Sequence, residues 1–143
     1  MRVYRELSPT VVLTHTLADP YNGDHPAANR MALEARVLAQ AIGYPGEGEI
    51  IGAPPVFYFE SHQPEMSGFR PEVLLDITEV WETKRKAMEC LGAQQHLWDY
   101  YTALGKRRGT QASRNSGPNL GLPSEVYAEA YQRIYPQVTK ELS

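Results

Sequence analysis

The stretch Thr10-Val11-Val12-Leu13-Thr14-His15, with Asp19-Pro20-Tyr21-Asn22-Gly23-Asp24-His25-Pro26 just behind it, decides the fold class. Its first part is a β-branched run after Pro9 and reads as a short buried strand. Its second part is a loop running into a helix. Pro26 suits the first helical turn, and Met31, Ala35, Leu38, Ala39 and Ile42 recur on one face. That helix is expected to open near Asp24 or His25 and to stop at Gly43. A strand feeding an amphipathic helix is the building unit of an α/β domain. Because Thr10 to His15 is apolar on both faces, its expected place is the centre of a mostly parallel sheet with helices packed on it.

Working outward, Val3 and Leu7 are spaced i, i+4 and read as the last turns of a helix whose beginning is absent. Downstream, a Gly- and Pro-rich loop over 43–55 leads to the strand Val56-Phe57-Tyr58-Phe59 and the polar turn Glu60-Ser61-His62-Gln63-Pro64. A third strand is expected at about 72–76. Asp76 with Glu79 resembles a capping box ahead of a helix over 79–91, on Val80, Ala87, Met88 and Leu91. Leu97, Tyr101 and Leu104 predict a helix over about 93–105, and Lys106 to Leu120 reads as a long loop. Val126, Tyr127, Ala130, Tyr131 and Ile134 predict a last helix over about 124–135.

With 143 residues the chain is one domain's worth, and 42 % apolar with 22 % charged residues excludes a disordered polymer. Gly and Pro, 11 of each, exceed the average share and predict a loop-rich protein. No apolar run approaches the roughly 18–20 residues that span a bilayer, and residues 1–6 offer no apolar leader core. The single Cys90 makes no intrachain disulfide, so a cytoplasmic location is expected. A net charge of −3 argues against a nucleic-acid partner and leaves room for a local basic site.

A catalytic zinc usually takes three N, O or S ligands and keeps one open position. No HExxH, His-x-x-His or CxxC is present among His15, His25, His62, His96 and Cys90. The best partial site is Asp24-His25, at a loop-to-helix junction after a strand's C-terminal end, where open α/β sheets place their ligands. The plain alternative makes Asp24 a helix N-cap and His25 a surface residue. His62 follows the second strand beside Glu60 and suits proton transfer; an ordinary polar turn is the alternative. His15 follows the first strand and reads as a buried histidine satisfied by backbone, with a place lining the same cleft as the alternative; His96 is given no role. Lys106, Arg107, Arg108 and Arg114 carry four positive charges without an acidic neighbour between them, a match for carboxylate or phosphate groups, or else a solvated face.

Taken together, Asp19 to Pro26, Phe57 to His62, Asp76-Ile77-Thr78 with Lys84 and Ala87, Gln94, and Tyr127-Ala128-Glu129-Ala130 resemble the C-terminal half of the LmbE-like (PIG-L) zinc hydrolase superfamily. Ala53 to Glu60, Lys84 to Cys90 and Arg114 to Asn119 resemble its 4-oxalomesaconate hydratase branch, which adds water to a tricarboxylate in gallate and protocatechuate degradation. The likeness spans about residues 5–137. It implies a Rossmann-like fold of which residues 1–143 are the C-terminal part, His25 as a zinc ligand, and His62 with Asp24 as catalytic groups. It also implies Asn22, Arg107, Arg108 and Arg114 as substrate-binding residues for a small polycarboxylate. A zinc-dependent N-acetyl sugar deacetylase, the activity of the wider superfamily, is the second reading; it is weakened because those deacetylases have a histidine where Asn22 stands. The family's other zinc ligands lie in an Ala-His-Pro-Asp-Asp-Glu-type motif absent from this sequence. Roughly the first hundred residues of the usual fold are therefore expected to be missing, and an inactive fragment is the third reading. Helix faces 26–42 and 79–91, left uncovered, predict a homo-oligomer or poor solubility.

Overall fold

A computed structural model describes residues 1–116, 121–123 and 125–140. In chain order these form α1 (Arg2–Leu7), β1 (Val12–Thr14), α2 (Asp24–Gln40), β2 (Val56–Phe59), α3 (Pro64–Ser67), β3 (Val73–Asp76), α4 (Trp81–Glu89), α5 (His96–Asn115) and β4 (Ala128–Arg133). Short 3₁₀ turns, Thr78–Val80 and Gly92–Gln94, precede α4 and α5. The chain forms two compact units, Met1–Arg70 with the residues from Gln132 on, and Pro71–Tyr131.

In the first unit β1 and β2 are parallel, with Val12 opposite Val56 and Thr14 opposite Tyr58. Parallel neighbours require a crossover, and α2 supplies it. The helix ends at Gln40 instead of running to Gly43, because Arg5 collects the carbonyls at its C-terminus. From a buried position on α1, Arg5 Nε donates to Ala39 O (3.3 Å), Nη2 to Ala41 O (3.0 Å) and Nη1 to Gly46 O (3.3 Å). A guanidinium there satisfies carbonyls that the helix leaves unpaired and opposes the negative end of its dipole. Gly48 completes the arrangement. Its φ is +88°, and a Cβ would sit 2.7 Å from Arg5 Cβ.

This early end revises the expected core face of α2. Ala39 is buried, but Met31 is 70 % exposed and Ile42, now beyond the helix, 86 %. The side chain sealed beneath α2 is polar: Asn29 is fully buried and donates from Nδ2 to His15 O at 2.6 Å.

In the second unit β3 and β4 are antiparallel, Leu74 opposite Ala130 and Asp76 opposite Ala128. The expected last helix is thus a strand. Ala128 and Ala130 are buried at period two, and the ladder to β3 decides between two periods that the short segment fits about equally. The hydrogen-bonded strand order is β1-β2-β4-β3. The sheet is therefore mixed instead of mostly parallel, and β1 lies at its outer edge instead of its centre, with Val11 and Leu13 about half exposed.

Helix α5 replaces most of the loop expected over Lys106 to Leu120; Gly117 to Leu120 lie outside the described residues. Its buried stripe is Gly105, Arg108, Gly109 and Ala112, a helical spacing carried by small residues. Gly109 permits the contact: a Cβ there would lie 1.7 Å from Val126 O. Beside it Trp81 stacks on Tyr127, with centroids 4.0 Å apart and planes 6° from parallel. Trp81 is the buried residue of α4, whereas Val80 and Leu91 of the expected face are more than half exposed. Asp76 acts as an Asx turn: its Oδ1 accepts the Thr78 backbone N–H at 2.9 Å, not that of Glu79.

Candidate functional site

Two chain segments leave the C-terminal ends of the parallel strands of the first unit. After β1 come His15 and the loop 16–23; after β2 come Glu60, Ser61, His62 and Gln63. The loop is built on Asp19, whose Oδ1 accepts the backbone N–H of Tyr21 (2.8 Å) and of Asn22 (3.3 Å). Its Oδ2 lies 2.7 Å from His25 Nδ1. This side chain is 3 % exposed. The His25 hydrogen bond lowers its pKa, burial acts upward, and the Tyr21 and Asn22 N–H groups lower it further; the result lies below the usual carboxylate value.

A carboxylate only accepts, so His25 Nδ1 carries the proton. In a neutral ring Nε2 then holds the lone pair, and Asn22 Nδ2 stands 3.3 Å from it as a donor. Asn22 is doubly engaged, because its Oδ1 also accepts the Asp24 N–H at 3.1 Å. Asp24 is not the cap of α2. Gly23 holds that position, and Asp24 sits in the first turn, where a carboxylate meets the positive end of the helix dipole.

His15 belongs to this cluster. Its ring stacks on His25 with centroids 3.8 Å apart and planes 12° from parallel, and it also meets the Phe59 ring edge-on at 4.5 Å. Burial lowers its pKa, the His25 ring adds to this, and Asp19 opposes both. A neutral imidazole against a second imidazole is the consequence.

His62 reaches the cluster through Tyr21, whose ring meets it edge-on at 5.8 Å and whose hydroxyl donates to Gln63 Oε1 at 2.5 Å. The predicted residues Asn22, Asp24 and His25 are thus gathered in one loop-helix junction. The expected arginines lie in the second unit, on α5. Arg107 and Arg114 are exposed and seven residues apart, hence on one helix face; Arg108 is buried, its Nη1 donating to Gln111 Oε1 at 2.7 Å. A single loop presenting all three is therefore replaced by a helix that turns Arg108 away from the other two.

Sequence reasoning gave Asp19 no role and left His15 between lining this cleft and a buried histidine satisfied by backbone. The signal for Asp19 was present: an Asp-Pro pair six residues ahead of a histidine, closing a turn with its side chain. Among the described residues no group of three His, Cys, Asp or Glu could hold a metal ion. The sequence reading assigned a single ligand, His25, to this chain, and the group around it is a hydrogen-bonded cluster of Asp19, His25 and Asn22 with His15 stacked on it. No helix among the described residues is long and apolar enough to cross a membrane.

No family model matches the chain. It is 52 % identical over 142 residues to 4-oxalmesaconate hydratase of Pseudomonas putida KT2440, covering 99 % of this chain and 54 % of that protein. Among solved structures it resembles GalB, the 4-carboxy-2-hydroxymuconate hydratase of P. putida KT2440, with a TM-score of 0.91 and 50 % identity over 99 % of this chain and 58 % of the other. The conserved protein TT1542 of Thermus thermophilus follows, with a TM-score of 0.76 and 25 % identity over 99 % and 59 %. Along nearly its whole length the chain is thus similar to hydratases, while spanning about half the length of the curated relative it matches.

Proposed function

We propose that this chain is the C-terminal part of an LmbE-like (PIG-L) enzyme that adds water across the carbon–carbon double bond of 4-oxalomesaconate or a closely related tricarboxylate. The observation that carries this reading is the 52 % identity, sustained over 142 residues, to a protein named for that hydration. Asn22 agrees with it. Where the superfamily's deacetylases use a histidine, Asn22 is engaged as an amide between the His25 ring and the Asp24 N–H.

Hydration removes one proton from water and delivers one to the carbon beside the new C–O bond. His62, in the turn after β2, is the residue assigned to that transfer, with Asp24 as the second acid–base group. Asn22 orients the substrate, and the cationic α5 residues Arg107, Arg108 and Arg114 attract its carboxylates, an electrostatic role that does not require one shared face. Zinc, which the resemblance implies, would act as a Lewis acid on water or substrate. Asp19 and His25 suit it in part: a carboxylate on Nδ1 makes Nε2 the atom that would ligate, in exchange for its 3.3 Å contact with Asn22 Nδ2. The resemblance puts the remaining ligands in a motif outside this sequence, and the described residues hold no group of three such side chains. The setting is cytoplasmic, the assembly a homo-oligomer.

The test supplies this chain with the part of the P. putida hydratase that it does not match and presents two substrates. Consumption of 4-oxalomesaconate without acetate release from an N-acetyl sugar is expected. Acetate release without hydration would replace this reading with the deacetylase one.

A further inference from the structure

Tyr21 is more than half exposed (56 %), so burial alone does not hold its ring in place. Nevertheless it is fixed from both ends. Its backbone N–H donates to Asp19 Oδ1 at 2.8 Å, and its hydroxyl donates to Gln63 Oε1 at 2.5 Å, 42 residues further along the chain. The first partner also holds His25 Nδ1. The second is the neighbour of His62, and the Tyr21 ring lies edge-on against the His62 ring. A continuous path, His25 to Asp19 to Tyr21 to Gln63 and His62, therefore joins the two segments that leave β1 and β2.

Gln63 supplies an independent observation. It is one of two non-glycine residues among those described with positive φ (φ 53°, ψ 70°), a sparsely populated conformation for such a side chain. In that conformation Gln63 caps α3 and reaches the Tyr21 hydroxyl. A glycine would take this backbone more easily and would lose the bond.

We propose that Tyr21 and Gln63 are positioning residues: their hydrogen bond is a latch that sets His62 at a fixed place relative to His25. This rests on the hydratase reading for the role of His62. The geometric content does not, because the hydrogen bond and the ring contact join the two strand-end segments whatever reaction they serve. A misplacement of a proton-transfer group by about 1 Å is enough to cost a large factor in rate, which gives such a latch its purpose.

The test is NMR of the histidine rings in the 143-residue chain, which needs no turnover. In the unsubstituted chain, cross-relaxation between the Tyr21 and His62 ring protons is expected. In Tyr21→Phe the His62 ring signals should move toward those of a histidine in a short peptide, while the His15 and His25 signals keep their positions. Gln63→Gly is the second variant; it removes the acceptor and eases the backbone. It should release His62 in the same way without lowering the melting temperature. His62 signals unchanged in Gln63→Gly would overturn the latch, as would all three histidines shifting together in that variant. Absence of hydration in the joined enzyme, with His62 still dependent on residues 21 and 63, would overturn the hydratase reading and leave the latch standing.

Discussion

Asp19 Oδ2 lies 2.7 Å from Nδ1 of His25, and the same carboxylate gathers the backbone N–H groups of Tyr21 and Asn22. One side chain thus shapes the loop and selects the histidine tautomer. Asp19→Ala should destabilise the fold by about 1–3 kcal/mol, since it strands donors that are charge-assisted or part-buried. Nitrogen chemical shifts should show His25 protonated on Nδ1 in the unsubstituted chain and redistributed toward Nε2 in the variant. An unchanged tautomer would show that something else sets it.

Arg5 is the second single-residue dependency. Its guanidinium serves carbonyls from Leu38 to Gly46. Arg5→Met keeps much of the apolar stem and should cost about 2–4 kcal/mol by leaving several part-buried carbonyls unpaired. Denaturant unfolding measures it. A loss below about 0.5 kcal/mol, less than a typical net hydrogen bond contributes, would mean that water replaces the guanidinium.

Gly109→Ala should unfold or strongly destabilise the second unit, because the added methyl would meet the Val126 carbonyl at 1.7 Å. Overpacking of this kind costs about 1–3 kcal/mol or more. Gly92→Ala, with open space at its Cβ, is the control and should be near neutral in the same thermal melt.

Acid stability should depend on Glu129. Burial raises its pKa, but hydrogen bonds from Lys84 and Tyr131 and the Lys84 charge outweigh it, and the net shift is downward. A carboxyl depressed on folding stabilises the native state above its unfolded pKa, about 4.3 for glutamate, and loses that contribution as pH falls through the folded value. Lys84→Met should therefore be less stable than the parent at pH 7 by about 1 kcal/mol, the pair being partly exposed, and the gap should close below about pH 4. A gap independent of pH would remove the ion pair as its cause.

How much of this was legible in the sequence follows the residues that carry each signal. Val56 to Phe59 was readable as a strand because four large residues stand together, and the opening of α2 because Pro26 marks it. Asn22, Asp24 and His25 were legible as neighbours at a loop-to-helix junction because the sequence runs straight from the one into the other. Helix α5 was hidden because its buried stripe is Gly105, Arg108, Gly109 and Ala112, residues that read as a break and a charge run. Strand β4 was hidden because Ala128 and Ala130 are too small to mark a period, and only the ladder to Asp76 and Leu74 selects one. The stacking of His15 on His25 depends on where β1 ends relative to α2, which no local spacing encodes.

The central claim is that this chain carries the proton-transfer histidine of a hydratase. The most direct measurement is the initial rate of 4-oxalomesaconate hydration by the chain joined to the unmatched part of its P. putida relative, with and without His62→Ala. The account predicts turnover in the parent and a loss of about 10²-fold or more in the variant, as for removal of a positioned acid–base group. Undiminished hydration by His62→Ala, with the fold intact, would contradict it.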